Sequence, residues 1–425
     1  MLTAKLSYQW QELRALARRI GVLFCAILIG APLAWGAAGQ NMPQAKSPHE
    51  ESAFHAFLET LWPQASARGV SRTTFERAFA GLSEDPSVAA AIAKQPEFEQ
   101  PLSAYFDEAV SSQRIARGRA LARQYAAELA KIERRYGVPG AILLAAWGME
   151  SDYGRLHGDK DVIRSLATLA FRRSNRELFV NELLSALVLL EKHALPRDKM
   201  RGSWAGAMGD PQFLPSAFLK YAVSYSGGAF PDIWNKPADT LASIGNFLRA
   251  SGWNRALPWG REVVLPAHFG FATLHADFRD FAVAGVRAAD GLALPAAGKA
   301  TLFLPAGAGG PAFLLSDNYW VLKAYNNSDS YALSLACLGD RIKGQPGLDR
   351  AWPNRQKLWR RAEKIEIQKL LTRLDLYHGT FDGKFGQASR DAIHDFQIEV
   401  HDAPADGFAR ADLLALLRAR VGEGK

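Results

Sequence analysis

The stretch that most constrains this chain is a strongly apolar run that carries one carboxylate at its end. It covers residues 139–154 and reads PGAILLAAWGMESDYG. Proline suits the first position of a helix, and apolar residues fill nearly every later position through Met149. The run therefore predicts a core helix without a solvent face, around which the rest of the chain must pack.

We expect the carboxyl of Glu150 to lie half-buried at the end of this helix. Loss of solvent favours the neutral form, so its pKa should rise to about 6 to 7, where a carboxyl can donate a proton and recover it. Gly148 and two nearby alanines leave room for another backbone or a ligand. These residues alone leave open an ordinary helix-terminal glutamate that meets solvent.

Composition adds little about function, but the amino terminus predicts an exported protein. The 425 residues allow two or three domains, and the net charge of +8 suits an anionic polymer or an ordinary solvated surface equally well. A basic segment, an uncharged run and small residues at 36–38 predict a signal peptide over 1–38, followed by a linker at 39–48. Retention of the leader as a membrane anchor stays open. Export disfavours a nucleic-acid partner, and only Cys337 follows the leader, so we expect no disulfide.

The segments after the linker predict a mainly helical first half and a small β region behind it. The spacing predicts helices at 49–67, 71–80, 105–136, 165–171, 177–193 and 331–342. Short segments rich in β-branched or aromatic residues predict strands at 262–265, 281–286, 300–304, 312–315 and 319–325.

The usual catalytic motifs are absent from the sequence. It has no GxxxxGK phosphate loop, no HExxH metal pair and no GxSxG nucleophile elbow, and its histidines are scattered. Asp152 follows Glu150 by two positions, which points it to a different helix face. Glu150 must therefore act without an obvious carboxylate partner.

Two further stretches combine neutral hydrogen-bonding groups with aromatic rings. Residues 201–216 read RGSWAGAMGDPQFLPS, and residues 325–331 read YNNSDSY. Sugar hydroxyls bind amide and hydroxyl groups while sugar faces stack on rings, so such stretches suit a carbohydrate groove. A glycine-rich turn packed on the core explains residues 201–216 equally well.

Three motifs together, AAWGMESDYG, GSWAGAMGDPQFLPS and NYWVLKAYNNSDSYA, resemble the membrane-bound lytic murein transglycosylase B family over about residues 50–345. The resemblance implies an α+β, mainly α fold, with a lysozyme-like helical catalytic domain at 49–345 that includes a small β region at about 255–325. It also implies cleavage of the β-1,4 bond between N-acetylmuramic acid and N-acetylglucosamine in peptidoglycan, leaving a 1,6-anhydromuramyl end. A hydrolytic muramidase and a non-catalytic peptidoglycan-binding scaffold are the alternatives.

Carried over position by position, the resemblance makes Glu150 the single general acid and base. It implies substrate-binding roles for Ser203, Gln212, Phe213, Tyr325, Asn326 and Tyr331. The chain departs from the family at two places. The segment where some members bind calcium has Ser224, Ser226 and Gly228 in place of oxygen-rich ligands, so we expect no metal and no cofactor. An Asn-Phe pair at 246–247 replaces the family's Asn-Tyr pair.

Residues 363–421, after a linker at 346–362, are similar to the short three-helix peptidoglycan-binding domain. The resemblance rests on pairs of adjacent residues, including Asp382-Gly383 and Asp406-Gly407, which are turn signals. We therefore expect a periplasmic monomer that binds peptidoglycan glycan strands. Association with cell-wall synthesis or secretion complexes is a hypothesis that the resemblance leaves open.

Overall fold

The computed structural model describes residues 48–93, 100–173, 176–192, 195–353 and 357–422. The predicted signal peptide and all but the last residue of the predicted linker at 39–48 lie outside these ranges. In the described part of the chain, no helix is long and apolar enough to cross a membrane.

The first half of the described chain is helical. Its helices are α1 Pro48–Glu59, α2 Trp62–Ala67, α3 Arg72–Phe79, α4 Pro86–Ala93, α5 Leu102–Ala109, α6 Ser112–Gln124, α7 Ala126–Tyr136, α8 Gly140–Ser151, α9 Val162–Arg172, α10 Arg176–Glu191, α11 Pro215–Tyr221 and α12 Pro237–Ala250. Two short strands, β1 Lys160–Asp161 and β2 Arg201–Gly202, pair antiparallel between them, and a single 3-10 turn spans Arg197–Lys199.

The apolar run forms α8, which lies at the centre of the main core. Every residue from Ile142 to Gly148 is buried, and Pro139 precedes the helix as its N-cap residue. The neighbouring helices α6, α7 and α12 pack against it together with α15, which spans Asp329–Lys343. Burial on all sides explains why the sequence offers no polar face, since a helix that meets solvent keeps a polar stripe.

The elements of the β region are β3 Gly260–Val264, β4 His275–Asp277, α13 Phe278–Val283, β5 Arg287–Ala288, β6 Lys299–Phe303 and β7 Ala312–Leu315. Its strands form one antiparallel sheet with the order β4-β6-β7-β3-β5. Leu302 pairs with Leu314 in the centre of the sheet, and both are buried in a small core of their own. The helices α14 Asp317–Tyr325 and α15 return the chain to the main core.

The carboxy-terminal unit has three helices, α16 Arg361–Arg373, α17 Gln387–Glu399 and α18 Leu413–Val421, around a separate apolar core. Two buried glutamines hold its Asp-Gly turns. The Gln368 side chain accepts from the Gly383 amide at 2.9 Å, and the Gln397 side chain accepts from the Gly407 amide at 2.8 Å. These bonds explain why the sequence pattern of this domain combines the two glutamines with the two Asp-Gly pairs.

The mainly helical fold class is confirmed, but four predicted elements are wrong. The helix predicted at 49–67 is two helices, α1 and α2. The helix predicted at 105–136 is three helices, because Ser111 caps α6 by accepting from the Arg114 amide and the chain bends again at Tyr125. The strand predicted at 281–286 is occupied in large part by α13, which begins with a capping box at Asp277. The strand predicted at 319–325 is helix α14, capped by Ser316.

Candidate active site

Helix α8 ends in a sharp turn made by three consecutive residues with positive φ. Asp152, Tyr153 and Gly154 have φ values of 48°, 60° and 83°. For residues other than glycine this left-handed conformation is costly and concentrates at functional sites. The turn folds the ring of Tyr153 back on α8, so that a Cβ at Gly148 would lie 2.6 Å from its Cζ atom. The space beside Gly148 is therefore taken by Tyr153, a neighbour the sequence did not identify.

Glu150 lies half-buried in the last turn of α8. The hydroxyl of Tyr331 donates a hydrogen bond to its Oε1 atom. Burial raises the pKa of Glu150 to about 8, while the Tyr331 hydrogen bond acts in the opposite direction. The predicted rise in pKa is confirmed and exceeds the expected range of 6 to 7. At neutral pH the carboxyl is mostly protonated and can act as an acid.

Three tyrosines interact electrostatically with the Glu150 carboxyl. Burial and the nearby Glu150 charge raise the pKa values of Tyr105, Tyr325 and Tyr331, so their hydroxyls keep their protons. The rings of Tyr325 and Tyr331 stack with their centroids 6.2 Å apart. Sequence reasoning missed Tyr105, which comes from α5, because no motif surrounds it.

Asp210, in the loop at 201–216, ties that loop to the helix that carries Glu150. The indole nitrogen of Trp147 donates to its Oδ2 atom at 3.0 Å, and His157 Nδ1 lies 3.4 Å from Oδ1. Burial raises the pKa of Asp210 to about 6, against the opposing effects of His157 and Trp147. Sequence reasoning missed this carboxylate because its Gly-Asp-Pro context looked like an ordinary turn.

Gln212 is fully buried in the same loop and has a positive φ of 51°. Its side-chain amide nitrogen donates to the carbonyls of His157 and Gly209, at 3.0 and 2.8 Å. Its Oε1 atom is buried and has no hydrogen-bond partner among the described residues. Ser203 is also buried, and its hydroxyl oxygen accepts from the Ala207 amide at 3.1 Å. Both side chains thus fix the loop, and Gln212 keeps a free acceptor.

The ring of Phe213 lies in the main core. Its side chain is fully buried, and its ring packs between Phe247 and Tyr325 in the main core, with centroid distances of 5.9 and 6.1 Å. Tyr325 is equally buried and donates its hydroxyl to the Pro211 carbonyl at 2.6 Å, which braces the loop. Asn326 is buried directly after α14. The cluster of Phe213, Phe247 and Tyr325 therefore lies in the core and supports the loop at 201–216.

Two family models match this chain. The model of the transglycosylase SLT domain matches residues 53–340, and that of the peptidoglycan binding domain matches residues 360–417. The chain therefore belongs to the SLT family of lytic transglycosylases and carries a carboxy-terminal peptidoglycan binding domain. The family, fold class and enzyme class implied by the sequence motifs are confirmed.

Relatives with solved structures cover most of the chain. SltB3 from Pseudomonas aeruginosa, in complex with NAG-anhNAM-pentapeptide, is 40% identical, covers 86% of this chain and 99% of its own, and has a TM-score of 0.78. Membrane-bound lytic murein transglycosylase B of Escherichia coli (strain K12) is 30% identical over 244 residues. That match spans 56% of this chain and just under two thirds, 66%, of the relative.

The structure of Escherichia coli Slt35 in complex with calcium is 26% identical, with a TM-score of 0.57, and covers 68% of this chain and 92% of its own. The residues of the present chain do not fit such an ion. The Asp239 carboxylate is buried and accepts from the amides of Ser226 and Asp232, at 2.7 and 3.0 Å. The Asp232 carboxylate accepts from the amides of Trp234 and Asn235. Backbone amides thus already donate hydrogen bonds to the carboxylates of Asp232 and Asp239. The described residues hold no metal-binding cluster.

Proposed function

We propose that the protein cleaves the β-1,4 bond between N-acetylmuramic acid and N-acetylglucosamine in peptidoglycan and forms 1,6-anhydromuramyl ends, with Glu150 as the single acid and then base. The observation that carries the proposal is the state of Glu150. Its carboxyl is half-buried, has a pKa of about 8 and is hydrogen-bonded by a tyrosine hydroxyl. Among the described residues, no second carboxylate hydrogen-bonds to it.

In the first step the neutral Glu150 carboxyl donates its proton to the glycosidic oxygen, and the bond from that oxygen to C1 of the muramyl sugar breaks. The resulting carboxylate is stabilised by the hydrogen bond from Tyr331. The tyrosine keeps its own proton because burial and the Glu150 charge raise its pKa. Tyr331 is therefore a hydrogen-bond donor to Glu150 and does not transfer a proton to the substrate.

In the second step the C6 hydroxyl of the same sugar attacks C1, and the Glu150 carboxylate takes the proton of that hydroxyl. One bond to C1 breaks and one forms, no water enters, and Glu150 returns to its neutral state. Ordinary glycosidases need a second carboxyl to activate water or to form a covalent intermediate. Attack by the sugar's own hydroxyl removes that need.

The free Oε1 acceptor of Gln212 suits an amide N–H, and an N-acetyl group of the glycan supplies one. The loop bonds of Gln212 fix the direction of this acceptor before substrate arrives. We also propose that Ser203, Asn326 and Tyr331 border the bound sugar. Tyr325 acts by bracing the loop, since its hydroxyl is bonded to Pro211.

The peptidoglycan binding domain would raise the effective concentration of the enzyme on its insoluble polymer. A cell-wall substrate and the leader-like sequence at 1–38 support export to the periplasm. Action as a monomer, and the domain limits given above, belong to the same proposal.

Purified wild-type protein and Glu150→Gln, incubated with sacculi, test the proposal by mass spectrometry of the released fragments. We expect wild-type products that are one water lighter than the reducing sugars, and no release by the variant. Products with reducing ends throughout would support the hydrolytic muramidase. No release by the wild type, with binding to sacculi retained, would support the non-catalytic scaffold.

A further inference from the structure

The peptidoglycan binding domain lies directly against the β region of the catalytic domain. Helix α17 and the turn at 404–408 form its side of the contact. The hydrogen bonds that cross the boundary include His275 Nε2 to Asp391 Oδ1 at 2.8 Å, His394 Nε2 to the Phe271 carbonyl at 2.9 Å, and the Ala308 amide to Asp406 Oδ2 at 2.9 Å. His394 and Asp406 are buried. Such a contact is a fixed packing surface and differs from a flexible tether.

One ion pair also crosses this boundary in a largely buried position. Nη1 of Arg390, on α17, lies 2.8 Å from Oδ2 of Asp329, on α15, and the side chains are only 12% and 13% exposed. The guanidinium also lies 4.6 Å from the centre of the Phe303 ring and donates to Gln387 at 2.9 Å. Arg390 is thus held in place by both domains.

Asp329 is the meeting point of several groups. Its Oδ1 atom accepts from Lys323 Nζ at 2.8 Å and from the Tyr319 hydroxyl at 3.0 Å, while Oδ2 accepts from Arg390. Burial by itself would raise the pKa of Asp329, but the Arg390 and Lys323 cations lower it below its usual range. The carboxylate therefore stays charged, and a buried charge that loses a partner is strongly destabilised.

The position of Asp329 connects this ion pair to the active site. Asp329 is the first residue of α15, and Tyr331, two residues later, donates to Glu150. Ser328 caps the helix and accepts from the Tyr331 amide at 3.4 Å. The first turn of α15 therefore carries both the anchor for Arg390 and the hydroxyl that meets the acid. A small shift of this turn would move that hydroxyl.

We infer that Arg390 of the peptidoglycan binding domain is a positioning residue for the active site, which fixes the first turn of α15 through Asp329 and so holds the Tyr331 hydroxyl on Glu150. The inference rests on the proposed function for the reaction that it assists. It gives the domain a part in turnover itself, besides its attachment to the wall. When a contact that positions an active-site group is removed, the catalytic rate falls, even if the residue making that contact does not touch the substrate.

A short soluble glycan of defined length separates positioning from attachment, because its turnover does not depend on binding to the wall. For Arg390→Ala we expect kcat on this glycan to fall about tenfold while KM stays within about twofold. Arg390→Lys keeps a charge that can reach Asp329, and we expect it to restore most of kcat. His275→Ala, which breaks another contact of the same boundary, should leave kcat unchanged.

A double-mutant measurement distinguishes the loss of this one contact from a general loss of folded protein. In an Asp329→Asn background, adding Arg390→Ala should lower kcat no further, because the two residues act through one contact. Two independent losses would overturn the inference. So would an Arg390→Ala variant that turns over the short glycan at the wild-type rate and is impaired only on sacculi.

Carbon NMR of labelled glutamate provides a readout that needs no cleavage. Among the described residues, Tyr105, Tyr325 and Tyr331 are the titratable groups whose pKa the Glu150 charge raises. If Arg390→Ala displaces Tyr331, the pKa of Glu150 rises, whereas His275→Ala leaves it unchanged. An unchanged pKa in Arg390→Ala would refute the positioning role. Absence of cleavage by the wild type would instead refute the proposed function and leave this readout valid.

Discussion

The contact between Tyr331 and Glu150 makes a quantitative prediction about the pH dependence of cleavage. Replacing Tyr331 by phenylalanine keeps the ring and removes only the hydroxyl that donates to Glu150 Oε1. This hydrogen bond favours the charged carboxylate and lowers the pKa, so its loss raises the pKa of Glu150 above about 8. A hydrogen bond to a charged group contributes about 1.5–3 kcal/mol, which corresponds to about one to two pKa units.

The assay is the pH profile of kcat/KM on a soluble glycan. The wild-type rate should fall as pH rises through about 8, because the carboxyl loses the proton that it must donate. In Tyr331→Phe this alkaline limb should move up by about one to two pH units, and the rate at neutral pH should fall because the carboxylate formed in the first step is less stable. Tyr136→Phe, at a buried tyrosine remote from Glu150, is the matched control. An alkaline limb that stays in place or moves down in Tyr331→Phe would refute the reasoning.

Further predictions concern stability and metal independence. Folding raises the pKa of Glu150 from 4.5 to about 8, so the stability that its neutral carboxyl contributes is present at acidic pH and is lost progressively as pH rises to about 8. In urea unfolding, the stability of Glu150→Gln relative to the wild type should therefore increase by about 4 kcal/mol from pH 5 to pH 9. An equal effect at both pH values would contradict this. Gly148→Ala should lose about 2–3 kcal/mol because its Cβ would meet Tyr153, whereas Gly270→Ala, with open space around it, should change stability by less than about 0.5 kcal/mol. Because backbone amides occupy the carboxylate of Asp239, calcium or a chelator should move Tm by less than about 1 °C, and a clear rise with calcium would show a binding site.

Much of helix α8 could be predicted because its burial is continuous. A run without polar positions can only be a core element. The single acid at its end must then lie in the core or at its edge. The breaks at Ser111 and before Phe278 were missed for a local reason. Each depends on a side-chain cap, and a cap overrides the propensity of the residues that follow it.

The partners of Glu150 could not be predicted from spacing. Tyr331 is 181 positions away along the chain, and Tyr105 belongs to a helix without any motif. Aromatic residues in a polar stretch suggested sugar stacking, yet Phe213 and Tyr325 are fully buried. Local sequence does not distinguish a ring that lines a groove from a ring that supports it, because only tertiary packing decides which side meets solvent.

In the proposed mechanism the sugar's own hydroxyl, and not water, completes the reaction under the control of Glu150. Digestion of sacculi in water labelled with heavy oxygen tests it most directly, because every hydrolysed bond takes up one labelled atom. We expect anhydro ends without label in the wild type, and no cleavage in Glu150→Gln. Labelled reducing ends as the main wild-type product would contradict it.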